Sequence, residues 1–177
     1  MMPQIIERMI RAAKLDVKLY EEVEADKSAL GQAMAVVVLS SVAAGIGNMS
    51  VGGRNVIFIT IISLMGWYVW AYLTFFIGTK LLPEPQTKAD HGELLRTIGF
   101  SSSPGMIRIL GIIPPLLPIV SLVGGIWMMV AMVIAVRQAL DYKSTGRAIG
   151  VCAIGWIIQV LFFGILLNLA GAGTGML

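Results

Sequence analysis

The sequence has one cysteine, one histidine and few charges, and each shortage excludes a class of function. A single cysteine, Cys152, allows neither an intrachain disulfide nor a thiolate metal cluster. The only histidine, His91, lies near Asp90 and Glu93, but without a second histidine or a nearby cysteine we interpret this cluster as a solvated loop. His91 is also several helical turns from the serines at 101–103, too far to act as their base. We therefore predict no catalytic residues, no metal and no cofactor.

Apolar residues dominate the chain instead. Of the 177 residues, 57% are hydrophobic and only 13% are charged, with a mean hydropathy of +0.85, whereas soluble domains carry about 25% charged residues. This composition predicts an integral membrane protein whose partners are membrane lipids and other membrane proteins or a second copy, and not nucleic acid. No carboxylate falls inside a predicted span, which argues against a proton-coupled transporter.

The N-terminal segment is amphipathic. Over residues 3–25, apolar side chains recur at helical spacing and charged side chains lie mostly on the opposite side, which predicts one helix. No continuous apolar core of a cleavable signal peptide is present, so we expect this segment to be retained. Two interpretations stay open: the helix lies in the lipid interface or docks a partner, or it packs against its own chain. We divide the chain into this segment, residues 1–28, and a transmembrane domain, residues 29–177.

The long apolar stretches predict five membrane spans, since about 20 residues cross the hydrocarbon core. We place these spans at residues 30–46, 56–82, 94–113, 119–136 and 148–170. The proline-rich sequence "PPLLP" at 114–118 joins the third span to the fourth. The predicted fold class is therefore all-α: a polytopic bundle of five transmembrane helices preceded by the amphipathic helix.

Lysine and arginine predict the orientation of the bundle, because cytoplasmic segments carry the excess of these residues. With the N-terminus inside, the inner side holds eleven of them and the outer side holds only Arg54 and Arg108. We therefore expect a cytoplasmic N-terminus and a location in the cytoplasmic (inner) membrane. An alternative with four spans, in which residues 94–118 are re-entrant, stays open and would place the C-terminus inside.

Polar residues interrupt the third span in the stretch "GFSSSPGMIR", residues 99–108. Pro104 has no backbone N–H and releases the carbonyl near Phe100, which neighbouring serine hydroxyls can satisfy. Arg108 lies about 18 Å along the helix from Arg96 at the inner interface, so we expect Arg108 to reach the outer surface. This interpretation is a repaired kink, and the alternative is a notch for a partner helix, a lipid headgroup or a translocated solute. The residues of the kink or notch are Gly99, Phe100, Ser101, Ser102, Ser103, Pro104 and Arg108.

Small residues in the first span predict a surface for close helix packing. They recur at intervals of four, so the backbone of another helix can approach them closely. Whether that helix belongs to the same chain stays open. The residues of this packing strip are Ser40, Ser41, Ala44 and Gly45.

Several of these features together resemble the Yip-one domain, the family of the Rab-interacting Yip/Yif membrane proteins and their prokaryotic relatives. The matching residues are Gly99, Phe100 and Pro104 in "LLRTIGFSSSPGMIRILGIIP", then Trp127 and the run 135–148. The resemblance implies a five-crossing membrane fold and, in eukaryotic members, a role in vesicle traffic with prenylated small GTPases. The acidic, aromatic, glycine-proline motif of those members is absent from the N-terminal segment, which leaves small-GTPase binding doubtful. The chain looks more like the short prokaryotic branch.

Two functional hypotheses follow. The first is a non-enzymatic membrane protein that acts by helix–helix association as a scaffold or accessory subunit and affects membrane organisation. The second is a small transporter or lipid-binding protein that uses the polar notch of the third span.

Overall fold

The computed structural model describes residues 4–49 and 56–174, with side chains up to residue 161. Within these ranges all regular secondary structure is helical, which confirms the all-α class. The described ranges contain seven α-helices, and shorter 3-10 or π segments connect some of them. The α-helices are α1 (Gln4–Ala13), α2 (Val17–Ala25), α3 (Leu30–Gly47), α4 (Val56–Phe76), α5 (His91–Phe100), α6 (Leu117–Ala139) and α7 (Thr145–Thr174).

Among the described residues, three helical segments are long and apolar enough to cross a membrane: Lys27–Gly47, Val56–Leu81 and Pro114–Ala139. They agree with the first, second and fourth predicted spans. In α7 the part with described side chains, Thr145–Leu161, is apolar but shorter. Arg54, one of the two cations assigned to the outer side, lies outside the described residues. The chain is therefore a helical protein with spans of membrane length.

The third predicted span is not one continuous α-helix. Helix α5 ends at Phe100, and a 3-10 helix runs over Ser103–Ile112 with Pro104 in its first turn. The α-helix stops here because Pro104 has no N–H to donate back to Phe100 and its ring clashes with the preceding turn. The expectation of a kinked α-helix over 94–113 was therefore wrong in detail: two short helices of different pitch replace it.

The N-terminal segment is also not the single helix predicted for residues 3–25. Leu15 adopts a left-handed backbone conformation with φ of 61°, which breaks the helix. Asp16 then begins α2, and its carboxylate accepts a hydrogen bond from the Lys18 N–H at 3.0 Å. Helices α1 and α2 therefore form a hairpin, which we call the N-terminal hairpin.

The N-terminal hairpin packs against its own chain, one of the two interpretations left open above. The nearly buried guanidinium of Arg8 donates to Glu22, Asp26 and Gln32 at 2.9–3.1 Å. It thereby joins both hairpin helices to the start of α3. Ile6 and Ile10 on α1 remain about 40% exposed.

The helices of the bundle alternate in direction. Gly99 lies against Ala33 and Gly111 against Gly47, so α5 and the following 3-10 helix run parallel to α3. The opposite direction of α4 follows from contacts at its start and near its middle, Val56 with Gly45 and Trp67 with Leu95. Two further pairs orient the last helices: Leu140 at the end of α6 meets Gly78, and Gly155 of α7 meets Trp70. Successive long segments therefore run up, down, up, down and up.

Candidate functional site

The serines of the polar stretch satisfy backbone carbonyls at the break in the third segment. Ser103 donates its hydroxyl to the carbonyl of Phe100 at 2.7 Å, and Ser101 donates to Ile98 at 2.7 Å. The Phe100 carbonyl is the group that an N–H at position 104 would satisfy in an α-helix, so Ser103 replaces the donor that Pro104 lacks. The predicted hydroxyl repair is therefore present in the structure. Ser101 and Ser103 are also buried, whereas Ser102 is half-buried.

Gly99 and Phe100 form the contact between α5 and α3. A Cβ atom on Gly99 would lie 2.7 Å from the Cβ of Ala33, so only glycine allows this approach. The Phe100 side chain is fully buried in the apolar core. These two residues of the predicted notch therefore position the polar stretch and do not face an open space.

The packing strip of α3 is used inside the chain. Ser40 and Ser41 are buried, and the Ser41 hydroxyl donates to the Val37 carbonyl at 2.7 Å. Ser40 lies against the 3-10 helix at Gly105, while Gly45 lies against Val56 of α4. Ala44 is half-buried between these contacts. The helix that covers the strip thus belongs to the same chain.

Arg108 does not extend away from the bundle as expected for a residue at the outer surface. Its side chain turns toward α3, where Nη2 donates to Ser40 Oγ at 3.0 Å and Nε donates to the Gly105 carbonyl at 3.2 Å. Two glycines leave the room for this path: a Cβ on Gly105 would lie 2.8 Å from Nη2, and one on Gly124 would lie 3.3 Å from Arg108 Cγ. The sequence alone does not reveal this, because the arginine and its partners lie on three different helices.

A cavity of about 290 Å³, which we call the polar cavity because serines, Arg108 and Gln159 line it together with apolar residues, opens beside Arg108. Trp70 lies in its wall, and the Trp70 indole N–H is buried with no hydrogen-bond partner among the described residues. Gln159 of α7 also lines the cavity. The hydroxyl-bearing residues of its wall are Ser40, Ser41, Ser63 and Ser102.

An apolar cavity of about 430 Å³ adjoins the polar one between α6 and α7. Arg108 and Trp156 line both cavities, as do two methionines of α6, Met128 and Met132. The remaining wall is apolar, with Ile149 and Cys152 on α7. Both volumes are of the order of small-molecule sites, about 300–1,000 Å³. We call the two cavities together the Arg108 chamber.

Two side-chain contacts that sequence reasoning missed fix the N-terminal hairpin to the bundle. Arg96, expected at the inner interface, is only 5% exposed, and its guanidinium donates to the carbonyls of Val23 and Glu24 at the end of α2. The indole N–H of Trp127 donates to the carbonyl of Ala13 at the end of α1, at 2.8 Å. Each hairpin helix thus ends on a side-chain donor of the bundle, which satisfies carbonyls without an intrahelical partner.

Glu24 lies at the same junction in an environment that disfavours its charge. Burial raises the pKa of its carboxyl group to about 7, and the nearby negative charges of Asp141, Glu93 and Glu21 act in the same direction. The positive charge of Arg96 opposes this shift. The carboxyl group of Glu24 is therefore expected to change its protonation state near neutral pH.

The loop cluster near His91 has a structural role in the described part of the chain. Asp90 and Glu93 form a reciprocal capping box at the start of α5, with hydrogen bonds of 2.7 and 2.8 Å. The imidazole of His91 packs edge-on against Tyr68, with ring centroids 5.0 Å apart. The carboxylates of this cluster are thus occupied in starting the helix.

Comparison with known proteins places the chain in a family. The family model described as Yip1 domain matches residues 17–167, which is most of the chain and includes the polar stretch and both cavities. No curated protein and no solved structure matches the chain. The match confirms the resemblance inferred from Gly99, Phe100 and Pro104.

Proposed function

Because the chain belongs to the Yip1 domain family, we propose that it is a non-enzymatic protein of the cytoplasmic membrane that crosses the bilayer five times, with its N-terminus inside. The alternating helix directions and the distribution of lysine and arginine support this topology. The third crossing would combine α5, about 15 Å long at 1.5 Å per residue, with a 3-10 helix of about 20 Å at 2.0 Å per residue.

Cysteine labelling in intact cells tests the topology. After replacement of Cys152 by alanine, single cysteines are introduced at Lys88, at Pro115 and at Leu177, and are exposed to a membrane-impermeant maleimide. Five crossings predict labelling at 115 and 177 only. The alternative with four spans, in which residues 94–118 are re-entrant, predicts instead that all three positions stay protected until the cells are opened.

We propose that the protein acts in the bilayer by associating with a helix of another membrane protein, as a scaffold or accessory subunit. The exposure of α4 carries this proposal. In the apolar stretch of the segment that contains α4, 17% of the residues are buried inside the chain, whereas 44% are buried in the corresponding stretch of the segment that contains α3. The packing strip and the N-terminal hairpin are already engaged within the chain, and among the three long apolar segments of the described residues the one with α4 is the least buried. The exposed side chains on this outward face of α4 include Ile57, Ile61, Met65, Tyr68, Val69 and Tyr72.

Photo-crosslinking in cells tests this association. A benzoylphenylalanine at Met65, which is 60% exposed on α4, should give a discrete crosslinked protein band. The matched control is the same probe at Leu122, which is 64% exposed on α6. If the probes at both positions crosslink equally and only to lipid, the proposal is contradicted. If the crosslinked band has the mass of two copies of this chain, the partner is a second copy and not another membrane protein.

A second candidate function is the binding of a lipid or related amphiphile in the Arg108 chamber. The observation that favours it is a cationic side chain beside an apolar cavity inside the bundle. Gly125 lines this cavity, and a Cβ atom there would meet no heavy atom within 4 Å. Gly125→Leu should therefore reduce the lipid that co-purifies in mild detergent, measured by native mass spectrometry. Gly31→Leu, which also adds a side chain in open space, is the control that should retain lipid.

A further inference from the structure

We propose that the Arg108 chamber binds an anionic amphiphile, with a phosphate or carboxylate head at the Arg108 guanidinium and one acyl chain in the apolar cavity between α6 and α7. This inference rests on the second candidate function and names the chemistry of its ligand. It follows from three observations: the hydrogen bonds that Arg108 makes, the way its side chain is held, and the change in polarity across the chamber.

The guanidinium of Arg108 has more donors than its protein partners use. A guanidinium carries five N–H groups, and two of them reach the acceptors Ser40 Oγ and the Gly105 carbonyl. Both acceptors are neutral, and no carboxylate of the described residues lies within 4.0 Å of this guanidinium to form an ion pair. By contrast, Arg8 and Arg11 each pair with two carboxylates. Arg108 therefore keeps a charge and donors for an acceptor that the described chain does not supply.

The Arg108 side chain is held in place before any ligand binds. Its stem passes Gly124 of α6 and its head passes Gly105, where any larger residue would collide with the guanidinium. Ser40 fixes Nη2 from the side of α3. Such pre-organisation lowers the entropy cost of binding, and a planar guanidinium suits a two-oxygen anion such as phosphate or carboxylate.

The two cavities that Arg108 lines differ in polarity, as an amphiphile requires. The polar cavity has four serines among its lining residues, and the Trp70 indole N–H in its wall has no partner among the described residues. The apolar cavity is lined mainly by methionines of α6 and apolar residues of α7 such as Ile149. Methionine side chains adapt their shape readily, so they suit an acyl chain. An amphiphile with its oxyanion at Arg108 would thus place its acyl chain among apolar side chains.

Binding of three probes to the full-length protein in mild non-ionic detergent, at fixed ionic strength, tests the proposal. Dodecyl phosphate carries both head and chain, dodecanol carries the chain alone, and inorganic phosphate carries the head alone. We expect dodecyl phosphate to bind at least about tenfold more tightly than either of the others, as charge-assisted hydrogen bonds to a guanidinium predict. Arg108→Gln should remove the preference for phosphate over alcohol, whereas Arg108→Lys should retain part of it.

Arg147→Gln is the matched control, since it removes one positive charge from an exposed position at the Glu84 ion pair. This variant should keep the full preference. If the wild-type protein binds dodecanol and dodecyl phosphate equally, the proposed recognition of an anionic head group is wrong, while the second candidate function stays intact. If none of the probes binds, both the second candidate function and the anionic ligand are refuted. If inorganic phosphate and dodecyl phosphate bind equally, the site binds free anions and the proposed amphiphile is wrong.

Discussion

Replacing Arg96 by methionine should release the N-terminal hairpin from the bundle. Arg96 donates to the carbonyls of Val23 and Glu24, two of the last carbonyls of α2, which have no partner within the helix. Methionine fills much of the volume of the arginine stem but donates no hydrogen bond. The change therefore tests the polar contact and leaves much of the packing in place.

The expected cost follows from these contacts. Hydrogen bonds to a charged group contribute about 1.5–3 kcal/mol each, so losing the contacts to two carbonyls should cost about 3–6 kcal/mol. Arg96 also places a positive charge at the C-terminal end of α2, where the helix dipole favours it. Because the loss falls on one junction, we expect local undocking of the hairpin before the bundle unfolds.

Hydrogen exchange of the protein in nanodiscs measures this undocking. In Arg96→Met, the amides of α1 and α2 should exchange about 100-fold faster or more, since each 1.4 kcal/mol is a factor of ten. The amides of α3 and α6 should change little. Arg137→Met is the matched control, because Arg137 also donates to chain carbonyls, those of Tyr142 and Lys143, but from a partly exposed site. Unchanged protection of the hairpin in Arg96→Met would refute the reasoning.

Three further predictions concern the hairpin junction and the polar stretch. Glu24 holds its proton more tightly in the folded chain because burial raises its pKa to about 7. The protection of the hairpin amides from hydrogen exchange should therefore fall as the pH rises from about 5 to about 8. Glu24→Gln should make this protection less dependent on pH. Gly99→Val should destabilise the bundle by about 1–3 kcal/mol through its clash with Ala33, measured by chemical unfolding against Gly125→Ala. Ser103→Ala should cost about 1–2 kcal/mol in the same assay, because the Phe100 carbonyl loses its hydroxyl donor.

The long helices could be predicted from the sequence because their length and composition determine them. The predicted first span, 30–46, agrees with α3 at Leu30–Gly47, and the second, 56–82, agrees with Val56–Leu81. In these stretches the apolar run ends where glycine, proline or charged residues begin, so the helix boundaries can be read directly from the sequence. The internal use of the packing strip could not be derived in the same way, since small residues permit a close approach without specifying which helix makes it.

The details that sequence reasoning missed depend on contacts between distant residues or on a single backbone conformation. A left-handed residue at Leu15 is not visible in an amphipathic pattern, because the pattern continues on both sides of the break. Arg96 reaches α2 across more than 70 positions, with no local signal of that partner. Helix periodicity predicts which face is apolar, but it does not predict which carbonyl a long cationic side chain reaches.

The polar stretch contains residues with different roles: some stabilise the backbone, and another is better suited to binding a ligand. The hydroxyl of Ser103 donates to a carbonyl that Pro104 leaves without its helical donor, so its position is explained by the backbone alone. Arg108 is different, because the backbone at this break needs no cation and the residue still keeps three N–H groups beyond its two described acceptors. Even a half-buried charge is costly in an apolar bundle. If local structure were its only role, a neutral donor would satisfy Ser40 and the Gly105 carbonyl at lower cost, so the cost of Arg108 is best accounted for by an anion that it binds.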